Sequence, residues 1–399
     1  MMKLFMVMMV VMGSLVREWR VMANAKDSVA QGDNSEYFSL LCRIYNVAQH
    51  PPIKHVDTKE YQKIVDDIDA LSASANGKEG VKTQSEETKS AQTQLVGITR
   101  DAHKLLDEIK RINPEREAEM ARNALNQVIF GEHGKEGDLS PGTLNGVRGR
   151  MAACGSRPLD KKGESAGKNL VVDFFCLCAK HDEAEGVDNV CGVSVGNGKD
   201  SGWDGVKLVS QDTLWDEVKN GCGTFAKQGV TSTQDGYSLH REFMAKVKAG
   251  GKVKVTNTET VPKHGMLGTA VSDTGNSNFH CNGKKAVSTT RVNVGSGVCV
   301  FYGTHHQEQN IEWLKKFKEG LQLIDKLNTE TASWQHQLTT LLNRARELYE
   351  KVKTDSQQEE VDTDDSPLAQ HPNPDENENA DSATQSQRHS LLAWALLLQ

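Results

Sequence analysis

The densest gathering of reactive side chains in this 399-residue chain is Cys176-Leu177-Cys178 followed by His181. Two thiolates and an imidazole so close together could ligate zinc. In an oxidising compartment the two cysteines would instead enter separate disulfides. We adopt that reading, because eight cysteines in a secreted chain imply four bridges. The sequence leaves open which of Cys42, Cys154, Cys176, Cys178, Cys191, Cys222, Cys281 and Cys299 pair together. His305-His306 also has ligand character, but neighbours at a helix start point to different faces, so an exposed pair is expected. Residues 193–199 have the look of a phosphate loop, yet the first glycine is missing and Asp200 stands where Ser or Thr is required. No H-E-x-x-H or calcium-loop pattern occurs. The expectation is a protein that is not an enzyme, with no catalytic residue, no metal and no cofactor.

The two ends of the chain carry addresses rather than chemistry. Lys3, an apolar run over residues 4–16 and Ala23-Asn24-Ala25 read as a secretory signal spanning residues 1–25, cut after Ala25 or nearer Ser14. At the other end, small and polar residues precede the apolar stub 391–398, the pattern of a glycosylphosphatidylinositol (GPI) attachment signal. As a helix the stub would reach only about 12 Å, too short for a hydrocarbon core about 30 Å thick. Trimming both ends leaves about 357 residues, enough for a real core. Residues 354–390 hold a net charge of −9 and the first 25 residues +2, so the chain's overall −7 leaves residues 26–353 neutral. A neutral body has no basic footprint for nucleic acid. Without an Asn-x-Ser/Thr sequon, and with only Asn189-Val-Cys191 and Asn220-Gly-Cys222 as weak variants, ordinary N-glycosylation is not expected.

Between those ends, three kinds of sequence must position the cysteines. Residues 26–130 read as a helical arm. Tyr37, Leu41, Ile44 and Ala48 make a three-four ladder ended by Pro51-Pro52. Asp57 and Glu60 are spaced as a capping box before Tyr61, Ile64, Ile68 and Leu71. Gly77 and Gly80 interrupt or weaken the helical pattern beyond Leu71. Ala91, Leu95, Ile98, Ala102, Leu105, Ile109 and Ile112 form a heptad seam. Asn113-Pro114 then suits the start of a helix burying Ala118, Ala121, Leu125 and Val128.

Residues 304–353 carry the most regular pattern, with Ile311, Leu314, Phe317, Leu321, Ile324, Asn328, Thr331, Trp334, Leu338, Leu341, Ala345, Leu348 and Val352 on one stripe. A capping box of Thr304 and Gln307 is expected to open this helix, with Arg344, Arg346, Lys351 and Lys353 near its negative end. The stripe implies a rod of about 75 Å, for which the Ala91–Ile112 seam is the natural partner. Asn328 and Thr331 are polar residues within the seam, a device that fixes register. Residues 131–303 hold 28 of the 34 glycines and every cysteine but Cys42, and read as a loop-rich, disulfide-stapled lobe. Residues 170–178, 252–256 and 292–302 are its candidate strands. Residues 354–382 read as an acidic disordered spacer, spanning on the order of 30 Å.

The expected fold is mainly α: an elongated antiparallel helical hairpin or coiled coil with an inserted lobe containing short strands. In its order of parts the chain resembles the variant surface glycoproteins of African trypanosomes, most closely the B-type N-terminal domain. The resemblance rests on the methionine-rich signal, Tyr37-Phe-Ser-Leu-Leu-Cys-Arg-Ile-Tyr45 in the first helix, the heptad arms, Asp173-Phe-Phe-Cys-Leu-Cys178, the acidic spacer and the apolar end. It implies a homodimeric, GPI-anchored coat on the outer leaflet of the plasma membrane, met by host antibodies and varied to evade them. Ser382, with Asp381 as the alternative, would carry the anchor, and residues 383–399 would be removed. A nutrient or host-macromolecule receptor on the same scaffold is the alternative function. The chain departs from better-known members in lacking a cysteine-rich C-terminal domain, since its last cysteine is Cys299.

Overall fold

A computed structural model describes residues 28–77, 85–181, 184–198, 200–224, 232–255, 260–272, 278–286, 295–305 and 308–362, the last seven as backbone only. The secretory signal with Ala25, the anchor signal with Ser382 and Asp381, and the spacer beyond residue 362 lie outside them, as do Gly80, Lys199, His306 and Gln307.

Helix α1 (Ser35–Gln49) stops just before Pro51-Pro52, as its ladder predicts. Helix α2 (Thr58–Asn76) starts at Asp57, whose carboxylate accepts from the Lys59 N–H. The expected reciprocal box is not formed, because Glu60 turns 3.7 Å from His55 instead. Gly77 closes α2, its N–H bonding to Ala73 O. Helix α3 (Glu86–Ile112) is capped by Ser85 and ends at Asn113. Asn113 adopts the left-handed conformation that Asn tolerates better than most residues (φ 59°). The same residue caps helix α4 (Pro114–Phe130), accepting from Arg116 N, with Pro114 in the first turn where no N–H is needed. α3 and α4 thus form one broken arm.

Helix α9 (Glu312–Asp362), about 76 Å long at 1.5 Å per residue, is the spine. Its ends differ from expectation. It begins after a single 3-10 turn at Glu308–Asn310, and Thr304 lies in a bend, its hydroxyl donating to Asp160 O rather than capping the helix. It also continues nine residues into the acidic segment, so the start of the expected spacer is helical. Lys353 and the basic residues before it therefore sit more than two turns short of the end, too far to serve the terminal dipole.

The arms do not form a simple hairpin. Half of α9 shares a core with both α2 and α3, which contribute Tyr61, Val65, Ile68, Ala91, Leu95, Ile98, Ala102, Leu106 and Ile109. Facing two neighbours shifts the buried stripe: Leu106 and Leu342 are buried where Leu105 and Leu341 were expected, and those two are only partly covered.

The lobe is more regular than its glycine content suggests. Leu170–Cys178, expected as a strand, is helix α6 (α5 is Arg150–Cys154), capped by Asn169 Oδ1 accepting from Val172 N. All nine residues are buried, and a short, continuously apolar run carries no period that separates strand from helix. A two-strand hairpin, β1 (Gly202–Trp203) and β2 (Leu208–Val209), precedes helices α7 (Gln211–Gly223) and α8 (Thr233–Ala249). Strands β3 (Gly251–Val255), β4 (Thr260–Lys263), β5 (Met266–Ser272), β6 (Phe279–His280) and β7 (Gly295–Phe301) form a sheet in the order β4-β3-β5-β7-β6. β3 and β7 fall where strands were expected. β5 and β7 pair antiparallel and are buried along their full length. At Gly268 (φ +98°) a Cβ would sit 2.4 Å from Val298 O, so glycine permits the close pairing under α6. The sheet, α1, α4, α6, α7, α8 and the first part of α9 share the larger core.

Candidate functional site

All eight cysteines are in disulfides. Cys42–Cys222 ties α1 to α7 across 180 residues, Cys154–Cys176 joins α5 to α6, Cys178–Cys191 fixes the chain after α6, and Cys281–Cys299 anchors β7. Cys176 and Cys178 therefore serve two different bridges, and no thiolate is left to meet His181, which is itself buried. Among the described residues no group of three or more His, Cys, Asp or Glu side chains could hold a metal ion. The loop at residues 193–199 fares similarly as an anion cradle: Gly196 N donates to Glu217 Oε2 at 2.5 Å, so a carboxylate of the protein already occupies that amide.

The charged groups that matter are buried where lobe meets spine. Asp173, on α6, is fully enclosed. Its Oδ1 accepts from Gly167 N at 2.8 Å. Its Oδ2 accepts from Tyr302 Oη at 2.9 Å and from Trp313 Nε1, in the first turn of α9, at 2.7 Å. Burial raises the Asp173 carboxyl to about 6 against the pull of those hydrogen bonds, and pushes the Tyr302 phenol well above its usual value. One carboxylate thus joins α6, the end of β7 and the start of α9.

Arg150, also fully enclosed, closes the other end of α6. It donates to Trp203 O at 3.0 Å, Cys176 O at 3.2 Å and Phe175 O at 3.4 Å, with its guanidinium 5.6 Å from the Trp203 ring centroid. Burial lowers it to about 9, but the helix C-terminus is where a cation is favoured. Spacing gave no warning of these roles. The one clue was an acid inside the apolar run Leu170–Cys178.

The polar seam residues bond to backbone outside the helices. Asn328 accepts from Lys54 N at 2.9 Å and donates to Pro52 O at 2.7 Å, while Thr331 Oγ1 donates to Lys54 O at 3.1 Å. Together they satisfy the backbone of the α1–α2 corner, where two prolines prevent any helical ladder. At the far tip, Asp355 accepts from the Ser85 and Thr88 hydroxyls at the start of α3, and these bonds hold its carboxyl below its usual value. At the lobe end, Ser28 forms a bridge with Ala286. The first described residue and the last therefore lie at opposite ends of the molecule. No described helix is long and apolar enough to cross a membrane.

Among the described residues the arrangement is one of ties, caps and crosslinks. A family model described as the trypanosomal VSG domain matches residues 19–94 and 77–340, most of the chain. No curated protein matches it.

Proposed function

The chain belongs to the trypanosomal VSG domain family, a structural surface coat rather than a family of enzymes, and we propose that it acts as a GPI-anchored, antigenically variable physical barrier. The observation that carries this reading is the family match over a rod whose lobe and C-terminal tip are at opposite ends. Anchored through Ser382, or Asp381, the spine would stand on its C-terminal tip and present the lobe outward. The terminal apolar segment and the acidic stretch before it support that orientation. Four disulfides suit a chain matured in the secretory pathway. In this reading a second copy packs along the rod as a homodimer, and host antibodies meet the lobe.

Intact mass spectrometry of the protein extracted from native membranes, before and after a phosphatidylinositol-specific phospholipase, tests the proposal. The expected species begins near Lys26, ends at Ser382 or Asp381 with a glycolipid attached, and leaves the membrane on lipase treatment. A mature protein retaining residues 383–399 would overturn it.

A further inference from the structure

The chain contains five Asn-Gly pairs, at Asn76, Asn145, Asn197, Asn220 and Asn282. In such a pair the following backbone nitrogen can attack the asparagine side chain, since glycine offers no Cβ to obstruct the approach. Attack requires an accessible side-chain amide and a backbone N–H that is not already bonded.

Four of the pairs fail this requirement. Gly77 N is bonded to Ala73 O, and Gly283 N to Gly297 O. Asn282 Oδ1 additionally accepts from Lys284 N and Gly297 N. Asn220 lies within α7, where Gly221 belongs to the helical ladder and is packed under Phe38. Asn197 is half-buried, and its Nδ2 is held by Asn189 Oδ1 at 2.8 Å.

Asn145 is different. It and Gly146 are exposed, at the centre of a turn closed by Val147 N donating to Leu144 O. Gly146 has φ +71° while Asn145 does not have positive φ, which fits a type II turn. In that turn the Gly146 N–H is not part of the closing bond. The Asn145 backbone N–H donates to Gly142 O at 3.2 Å, while neither the Asn145 side-chain amide nor Gly146 N is hydrogen-bonded among the described residues.

We infer that Asn145 is a site of selective spontaneous deamidation on the lobe surface. The Gly146 amide nitrogen loses its proton to solvent base and bonds to Asn145 Cγ. The Cγ–Nδ2 bond breaks and ammonia leaves. Water then opens the cyclic imide at either carbonyl, giving aspartate or isoaspartate. The product adds one negative charge, and in the isoaspartate form lengthens the backbone of a closed turn by one carbon. This face of the molecule therefore changes with age, without any enzyme.

The test is to incubate the purified native protein at about pH 8 and 37 °C and follow tryptic peptides by mass, with isoaspartate detected by enzymatic methylation. The peptide covering residues 136–148 contains Asn145 and no other asparagine. It should gain about 1 Da at least tenfold faster than the peptides carrying the other four pairs, and Asn145→Gln should abolish the acidic variant. In urea all five rates should converge. The inference is overturned if Asn145 converts no faster than the others in the native protein. It also falls if its lead persists unchanged in urea, or if the acidic variant survives in N145Q.

Discussion

The lobe end and the far half of the rod are two solutions to one problem, holding a long molecule together. Around the lobe, four disulfides, a mixed five-stranded sheet and two enclosed charged side chains sit in one core. The three-helix half contains no cysteine and, among the described residues, no sheet. Its core is a ladder of aliphatic residues around the edge-to-face pair Tyr61–Trp334. A heptad stripe repeats one local geometry and stabilises itself turn by turn. The lobe joins segments far apart in the chain, so it bears a loop-closure cost that local pattern cannot offset, and crosslinks reduce that cost.

Removing Cys42–Cys222 by a double serine substitution is the strongest test of this contrast. Closing a loop of 180 residues is worth roughly 5 kcal/mol in the chain-entropy account, against about 3 for the 13-residue Cys178–Cys191 loop. Hydrogen exchange should show the lobe amides losing protection while α2 and the far half of α9 keep theirs. Equal loss in both halves would mean that they unfold as a single unit.

Next in size is Asp173→Ala, which strands the Gly167, Tyr302 and Trp313 donors in the interior and should cost about 4 kcal/mol by denaturant titration. Asp173 also sharpens the comparison through pH. Its folded carboxyl is raised to about 6 from a usual 3.8, so its favourable contribution is complete below 3.8 and is lost as pH rises toward 6. Lobe stability should therefore fall between those values in the native protein, and Asp173→Asn should remove that part of the slope.

In the three-helix half, Leu338→Ala leaves a cavity in a fully buried position and should cost about 3 kcal/mol, measured as earlier thermal melting of far-half amides alone. The smallest effect is expected at the tip. The lowered Asp355 carboxyl contributes stability that is present above its unfolded value and lost as pH falls through the folded one, so native and Asp355→Asn proteins should differ near neutrality and converge in acid. A persistent difference at low pH would assign that tie to something other than charge.

How much was legible differs between the halves for the same physical reason. Ala91, Leu95, Ile98, Trp334, Leu338 and Leu348 announce their burial by spacing, because a helix brings every third or fourth residue to one face. The slip from Leu105 to Leu106, and from Leu341 to Leu342, came from assuming one facing helix where there are two. In the lobe, the buried run Leu170–Cys178 showed burial but not helicity. The marks of α7 and α8 are short: Leu214, Val218 and Cys222 recur every fourth residue, and Ser232 with Asp235 forms a capping box before Leu239, Phe243 and Val247.

By composition and pattern alone, the chain determined that it would be a largely helical rod, that its cysteines would serve bridges rather than metal, and that Asn113-Pro114 would break one arm. Those properties depend on neighbours within a turn or two, or on residue type. Only the tertiary structure decided which cysteines meet, that Asp173 would pin the lobe to Trp313, and that Asn328 and Thr331 would satisfy the corner at Pro52 and Lys54. Each of those contacts joins residues far apart in the chain, and no local rule says which distant donor will find which buried acceptor.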